Sequence, residues 1–275
     1  MARRWLLAAG LALAAATGAR AAAPVDAFPD IARAYWVEID GRPAWAGQHD
    51  QRLPVASLAK LMAALVLVEE ADLRGELATS RAAAAATGTR LGLRAGERFT
   101  ASDLLSAMLV RSANDACRAL ADWHGGGSDT AFVARMNQRA AELGMADTRF
   151  DNACGHDAPG QGSTARDLAR LARAVMQQPR LLEDAARERF DFASLDGRRF
   201  SVRSTNALLG QVPGAIGLKT GFTPGAGRCL VALARRDGHE VLAVLLHAPD
   251  RWWDSAGLIE LAFDEARHAT PPAPR

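Results

Sequence analysis

The stretch KTGFTPGAGRCLVALARRDGHEVLAVLL, from Lys219 to Leu246, decides the fold of this chain. It contains three short runs whose composition favours strands, Lys219 to Thr223, Cys229 to Ala234 and Glu240 to Leu246. Asp237-Gly238 stands between the last two runs, and this dipeptide is typical of a tight hairpin turn. The stretch therefore predicts three consecutive strands, of which the last two form a hairpin.

A second hairpin is predicted near the amino terminus. Ala34 to Asp40 (AYWVEID) and Ala44 to Gln48 flank the turn-forming Gly41-Arg42-Pro43. A helix should then start near Ser57. The run LAKLMAALVLVEEADL, Leu58 to Leu73, is strongly helix-forming and nearly all apolar in its first three turns, which indicates a buried helix.

The middle of the chain, roughly Thr100 to Arg189, is predicted to be helical. Thr100 to Asp103 has helix-capping chemistry, Thr130 to Leu143 is amphipathic, and Ser163 to Asp167 caps a helix that ends near Pro179.

Strands at both ends of the chain around a helical middle indicate the fold class. We expect an α/β (α+β) fold in which both chain ends build one antiparallel sheet flanked by helices, including a final helix from about Trp252 to Ala266. One catalytic domain, residues 22–270, is expected to carry an all-helical lobe at roughly residues 75–190.

The first 21 residues predict a secretory signal peptide. Met1 to Ala21 combines an Arg pair, a short apolar run and small residues at the A-x-A positions, so the mature chain should begin near Ala22 in the periplasm. Its removal takes three arginines from a net charge of +2 and leaves −1, which excludes a nucleic-acid partner. The later sequence is not apolar enough to span a bilayer, so no stable membrane anchor is predicted; an uncleaved anchor and the export route stay open.

The cysteines and histidines carry no metal-binding pattern. Cys117, Cys154 and Cys229 are an odd number in an exported chain, so at least one thiol is unpaired. Buried structural cysteines are the favoured interpretation, and the sequence leaves any disulfide pairing open. The six histidines are scattered, so neither a metal nor a cofactor is expected.

The two lysines point to catalysis. Of 33 basic residues, only Lys60 and Lys219 are lysine. An arginine cannot act as a base, whereas an ammonium can be tuned towards neutral pH. In Ser57-Leu58-Ala59-Lys60 the hydroxyl and the amine are three residues apart on one helix face, so Lys60 can serve as the base for Ser57.

Two further motifs complete a specific set. Ser112-Ala113-Asn114 ends the helix that begins near Ser102, and Lys219-Thr220-Gly221 opens a predicted strand where backbone N–H groups could bind an oxyanion or an extended peptide. In this order, S-x-x-K, S-x-N and K-T-G are the signature of the penicillin-recognising serine enzymes.

The chain resembles the low-molecular-mass D-alanyl-D-alanine carboxypeptidases, serine peptidase family S11, from about Ala34 to Phe263. The resemblance rests on these three motifs and on further blocks: Gly96-Glu97, Thr100, Asp103 to Leu105, Ala107 to Val110, Asp115-Ala116, Phe150 to Asn152, Ser163 to Leu168 and Phe222-Thr223. It implies the transpeptidase fold of penicillin-binding proteins and β-lactamases, and a serine DD-peptidase that acts on peptidoglycan stem peptides and is inhibited by β-lactams.

The resemblance also implies a role for each motif residue. Ser57 is the nucleophile, Lys60 the base and Ser112 a proton relay, while Asn114 holds the substrate backbone. In the K-T-G motif, Lys219 provides a positive electrostatic potential and Thr220 contacts the substrate carboxylate. The N–H groups of Ser57 and Phe222, beside Gly221, form the oxyanion hole. Lys219 is expected to lower the pKa of Lys60 by like-charge repulsion. Arg251 matches the family arginine near that carboxylate; a solvated helix cap is its alternative.

Two other functions are open. A class A β-lactamase needs a Glu after the second motif, and Phe150 to His156 contains none. A non-catalytic penicillin-binding sensor usually needs a membrane tail or a receptor partner. Against the larger carboxypeptidases, the chain is expected to lack a C-terminal β domain, and it has Thr205 where many carry Arg and Phe222 where His is usual. These features resemble the short periplasmic DD-endopeptidases.

Overall fold

A computed structural model describes residues 24–268, so the predicted signal peptide lies outside the described residues. The strands are β1 (Ala34–Ile39), β2 (Arg42–Gly47), β3 (Glu76–Ala78), β4 (Arg98–Thr100), β5 (Arg189–Ala193), β6 (Arg199–Arg203), β7 (Ala215–Thr223), β8 (Gly227–Arg236) and β9 (His239–Ala248). The helices are α1 (Ala59–Glu70), α2 (Arg81–Ala84), α3 (Ala101–Arg111), α4 (Asn114–His124), α5 (Asp129–Glu142), α6 (Ala165–Met176), α7 (Pro179–Ala186) and α8 (Trp253–His268).

The main sheet confirms the predicted architecture. Its five strands follow the order β2-β1-β9-β8-β7, and every neighbouring pair is antiparallel. Strands from both chain ends meet where β1 pairs with β9. The hairpin between β8 and β9 turns at Asp237 and Gly238, which both have positive φ, as the sequence signal requires.

The central strands are apolar on both faces because helices cover both. Leu242, Val244 and Leu246 of β9 belong to the core that contains α1, and the alternating Val241, Ala243 and Leu245 belong to the core beneath α8. Helix α1 is buried over three turns, as its composition predicts. Helices α6 and α7 also contact the sheet, α6 against β1 and β9 and α7 against β7.

The capping predictions in the helical middle are confirmed. The Thr100 side chain accepts a hydrogen bond from the Asp103 N–H, and Thr164 accepts one from Asp167. Two small two-stranded sheets were not predicted, β3 with β4 and β5 with β6. The alternating phenylalanines of β5 and β6 and the Asp196-Gly197 turn between these strands were the available signals.

The structure confirms the expected unpaired thiol and gives the pairing that the sequence left open. Cys117 and Cys154 form a disulfide with their Cα atoms 5.8 Å apart, whereas Cys229 is a free, buried thiol. All three cysteines are buried, as the favoured interpretation expects.

Candidate active site

Ser57 lies at a sharp bend in the backbone just before the central helix. A single 3-10 turn, Ala56–Leu58, leads directly into α1. Ala56 has a φ of +49°, a left-handed conformation that is uncommon for a residue with a Cβ. The bend leaves Ser57 half-buried at the wall of a cleft rather than inside the core that surrounds the rest of the helix.

Lys60 lies one helical turn beyond Ser57, as its spacing predicts. Its Nζ is 2.9 Å from Ser57 Oγ and 2.7 Å from Asn114 Oδ1, and it also donates to the Cys154 carbonyl oxygen. The side chain is completely buried. In its neutral form the amine can donate to the two oxygens of Asn114 and Cys154 and point its lone pair at the Ser57 hydroxyl, which is the geometry of a general base.

Burial is the main cause of the altered basicity of Lys60. Loss of solvent, and secondly the charge of Lys219, lower its pKa well below the ordinary value of 10.5. The contribution expected from Lys219 is present, and the larger contribution comes from enclosing an ammonium in the core. The neutral form of the amine is therefore reached more easily than in an exposed lysine.

Lys219 and Ser112 form the second half of the site. Lys219 is buried in β7, and its Nζ donates to Ser112 Oγ at 2.8 Å and to the Thr220 carbonyl at 3.0 Å. Ser112 follows the last turn of α3 with a φ of +61°, which directs its hydroxyl towards the strand. Burial, and then the charge of Arg251, lower the pKa of Lys219 to about 7.

Asn114 is held at both ends of its carboxamide. It opens α4, its Oδ1 accepts from Lys60, and its Nδ2 donates to the Thr87 carbonyl at 2.7 Å. Its backbone N–H donates to the Thr89 carbonyl, also at 2.7 Å. The structure therefore joins Asn114 to Lys60, while its contact with substrate backbone stays a prediction.

The K-T-G strand runs along the cleft as the edge strand of the sheet. A Cβ added at Gly221 would lie 3.1 Å from the Ser57 nitrogen, so glycine permits the close approach of β7 to the nucleophile. Thr220 Oγ1 is 2.8 Å from Thr205 Oγ1, which places the departure from the family pattern directly beside the K-T-G motif. Phe222 is 62% exposed at the mouth.

Arg251 contacts the backbone of the same strand. Its guanidinium donates to the Gly221 carbonyl and lies over the Trp252 ring, 4.6 Å from the centroid. Loss of solvent lowers its pKa from the ordinary value. A contact between Arg251 and a substrate carboxylate stays a prediction.

Sequence reasoning missed the loop that follows α5. Cys154 supplies a carbonyl to Lys60, and Gly155, with a φ of +87°, packs so closely that a Cβ there would lie 2.0 Å from the Ala56 carbonyl oxygen. The Asp157 carboxylate accepts from Thr223 Oγ1 at 2.6 Å and from the Gly225 N–H at 3.0 Å. Only Gly155 carries a sequence signal, because a backbone carbonyl has none.

The cleft has a volume of about 290 Å³. It is lined by Ser57, Thr87, Gly88, Thr89, Asn114, Cys154, Gly155, His156, Phe222, Thr223 and Pro224. A serine beside a buried amine, a second hydroxyl bonded to a second lysine, and an adjacent strand edge are suited to acyl transfer. Among residues 24–268, the His, Cys, Asp and Glu side chains form no group of three or more that could hold a metal ion. Within the same range no helix is long and apolar enough to cross a bilayer.

Comparison with known proteins connects this site to a family. Residues 26–250 match the sequence profile of Peptidase S11, D-alanyl-D-alanine carboxypeptidase. The chain is 34% identical to D-alanyl-D-alanine carboxypeptidase DacB2 of Mycobacterium tuberculosis over 86% of this chain and 84% of that protein. It is 31% identical to the D-alanyl-D-alanine endopeptidase of Escherichia coli K12 over 83% and 75% of the two chains.

The fold is shared with solved structures. Penicillin-binding protein D2 of Listeria monocytogenes, in its ampicillin-bound form, superposes with a TM-score of 0.75 at 32% identity and covers 86% of this chain and 99% of its own. The chain spans only 54 to 65% of several longer curated carboxypeptidases that it also matches.

Proposed function

Because the chain belongs to the S11 family of D-alanyl-D-alanine carboxypeptidases, we propose that it is a serine DD-peptidase that cleaves peptidoglycan stem peptides through an acyl-enzyme on Ser57. The contact of 2.9 Å between Ser57 Oγ and the buried amine of Lys60 carries the proposal. Burial favours the neutral amine, and a neutral amine is the form that can take the serine proton.

The proposed reaction has two halves. Ser57 Oγ attacks the carbonyl carbon of the penultimate D-Ala while its proton passes to Lys60 Nζ. The N–H groups of Ser57 and Phe222 stabilise the oxyanion. The C–N bond then breaks while the proton held by Lys60 is relayed to the leaving amine through the Ser112 hydroxyl, which is hydrogen-bonded to Lys219 at 2.8 Å, so that Lys60 becomes neutral again. Water hydrolyses the resulting ester and regenerates the Ser57 hydroxyl.

β-Lactams are proposed to acylate the same serine and to form an ester that is hydrolysed slowly. The ampicillin-bound relative supports this binding. A class A β-lactamase, the first alternative, uses a carboxylate to activate the deacylating water. Within residues 24–268, the Lys60 amine forms hydrogen bonds with the Ser57 hydroxyl, the Asn114 carboxamide and the Cys154 carbonyl, and with no carboxylate. A non-catalytic sensor, the second alternative, would acylate without turning over a peptide.

The substrate is proposed to include cross-linked stems as well as pentapeptides. Cleavage of a cross-link releases a bulky leaving group, the amine of a second stem peptide, whereas cleavage of a pentapeptide releases a single D-Ala with a free carboxylate. An enzyme restricted to the second substrate gains from several cations at that carboxylate. The neutral Thr205 beside Thr220, and the similarity to an endopeptidase, support activity on both.

A product assay tests these proposals. The mature protein, which we propose to be periplasmic, is incubated with pentapeptide monomers and with cross-linked dimers, and the products are resolved by mass. Release of D-Ala and cleavage of dimers are expected, and Ser57→Ala should abolish both. D-Ala release without dimer cleavage would refute the endopeptidase activity, and no turnover of either substrate despite acylation by penicillin would favour the sensor.

A further inference from the structure

The Cys117–Cys154 disulfide lies next to Lys60, the proposed base. Cys117 is on the first turn of α4, three residues after Asn114, and Cys154 is in the loop that follows α5. Both residues are buried, at 1% and 5% exposure. The Cys154 sulfur also lies 3.8 Å from the Asn114 carbonyl oxygen. The bridge therefore joins two segments that are far apart in sequence at a point adjoining the cleft.

These two segments supply the acceptors of Lys60 other than Ser57. One acceptor is the Asn114 Oδ1 at the start of α4, and the other is the carbonyl oxygen of Cys154 itself. The residue after Cys154 is Gly155, which packs against the Ala56 carbonyl next to the nucleophile. A change in the spacing between α4 and this loop would thus alter both acceptors of the amine and the support of Ser57.

We propose that the Cys117–Cys154 disulfide is a positioning element for catalysis, which fixes the distance between the two acceptors so that the Lys60 amine stays directed at Ser57. The proposal rests on the role of Lys60 as the base. Without the bridge, α4 and the loop can separate, and water can reach Nζ. A hydrated amine takes up a proton more readily, and a protonated amine cannot accept the proton of Ser57.

The double substitution removes none of the other charged groups that face Lys60. Lys219 faces it from β7, with Arg251 behind Lys219, and His156 faces it from the loop, where burial and then the charge of Lys60 lower the histidine pKa. Because the variant keeps every one of these groups, a shift in the pH profile of acylation on losing the bridge reports the changed surroundings of the amine.

The test compares Cys117→Ala/Cys154→Ala with the matched control Cys229→Ala, which removes the free thiol. The second-order rate of acylation by a fluorescent penicillin is measured from pH 5 to 10, beside thermal unfolding. At pH 7 the double variant should acylate about tenfold to a hundredfold more slowly, the scale expected for a misplaced catalytic group. The acid limb of its profile should move to higher pH, and Cys229→Ala should change neither.

Reduction of the wild type is the second arm, and it decides the matter if the double variant does not fold. The protein is treated with dithiothreitol, acylated, quenched in denaturant and alkylated, so that mass spectrometry reads the penicilloyl adduct separately on reduced and oxidised molecules. The reduced molecules should acylate more slowly and show the same shift in pH profile.

Wild-type rates and an unmoved acid limb in the bridge-free molecules would overturn the proposal. An equal loss of rate at every pH would also overturn it, since that result means a general structural role. Failure of the oxidised wild type to acylate at all would instead refute the proposed function.

Discussion

The two lysines show how a rare residue acquires a function from its surroundings. Both are buried, and each has a hydroxyl within 3 Å of its Nζ, Ser57 for Lys60 and Ser112 for Lys219. Enclosure in the core makes the charged form unfavourable for each, with the result that neither amine has the basicity of an exposed lysine. No arginine could replace them, because a guanidinium keeps its proton even when it is buried.

Lys60→Arg should abolish acylation while the fold survives. The rate of labelling by fluorescent penicillin should fall by about a thousandfold or more, since the substitution removes the base and thereby the activation of the nucleophile. Circular dichroism checks the fold. Because a guanidinium is larger than the enclosed amine, Lys60→Met serves as the companion variant, with the aliphatic stem but no base. Labelling at the wild-type rate by either variant would show that Lys60 is not the base.

Thr205→Arg should shift the substrate preference towards pentapeptides. The new cation would lie next to Thr220, whose hydroxyl is 2.8 Å from that of Thr205, and would attract a free terminal carboxylate. The ratio of D-Ala release to dimer cleavage is expected to increase severalfold. Thr205→Val is the control because it removes the hydroxyl without adding charge. An unchanged ratio in the arginine variant would mean that position 205 does not select the leaving group.

At the scale of elements, the site depends on how closely three segments approach one another. Strand β7, the 3-10 turn before α1 and the loop after α5 meet around the backbone of Ser57, and glycines at the two contacts make this possible. Any side chain beyond hydrogen at Gly155 would overlap the Ala56 carbonyl. The two segments that approach the nucleophile are therefore positioned by backbone contact as well as by side chains.

Gly221→Ala should reduce acylation more than stability. The added Cβ would lie 3.0 Å from the Val55 carbonyl oxygen and 3.1 Å from the Ser57 nitrogen, so β7 must move away from the nucleophile. We expect a loss of about 1–3 kcal/mol in the free energy of unfolding, as for other overpacked sites, and a larger proportional loss in acylation rate. Urea unfolding and penicillin labelling measure the two effects.

Gly257→Ala is the matched control for this substitution. Gly257 lies within α8, and a Cβ there meets nothing within 4 Å. Alanine should be neutral or should stabilise the helix by up to about 1 kcal/mol, with labelling unchanged. If Gly221→Ala labels as fast as Gly257→Ala, the close approach of β7 is not needed for acylation.

At the scale of the whole molecule, the five-stranded sheet and the two cores on its faces enclose several titratable groups. Burial lowers the pKa of Lys60 and Lys219, the latter to about 7, and raises the pKa of Cys229 to about 11. Burial, with a hydrogen bond to Asp26, raises the pKa of Tyr35 to about 12. The folded and unfolded chains therefore bind different numbers of protons, which makes the free energy of unfolding depend on pH.

The free energy of unfolding should rise between about pH 7 and pH 9. In this window the unfolded Lys219 holds a proton that the folded residue, with its pKa of about 7, has lost, so the gain from Lys219 is on the order of 1 kcal/mol per pH unit. The lowered pKa of Lys60 contributes in the same direction. Above pH 9, Cys229 and Tyr35 contribute in the opposite direction and lower the free energy of unfolding as the pH rises, because the folded chain keeps their protons to higher pH than the unfolded chain does. Urea unfolding at pH 7, 8 and 9 measures the trend, and Lys219→Met should flatten it. Equal stability at pH 7 and 9 would contradict the prediction.

Local pattern was sufficient for most of the fold. The Asp237-Gly238 turn, the apolar run of α1 and the caps at Thr100 and Thr164 each follow from neighbours in sequence, and the structure confirms them. The hairpin of β5 and β6 was missed because it lies where the helical pattern ends.

For the site, the sequence by itself determined which side chains could do chemistry, because S-x-x-K, S-x-N and K-T-G require particular residue types at short spacing. Only the tertiary structure decided which contacts and how much burial these side chains have. The hydrogen bond from Lys60 to the Cys154 carbonyl cannot be predicted from residue type, since every residue has a backbone carbonyl. The disulfide depends on a Cα separation of 5.8 Å between residues 37 apart in the chain. The burial that lowers the pKa of Lys60 arises only when the helix, the loop and the sheet close around it.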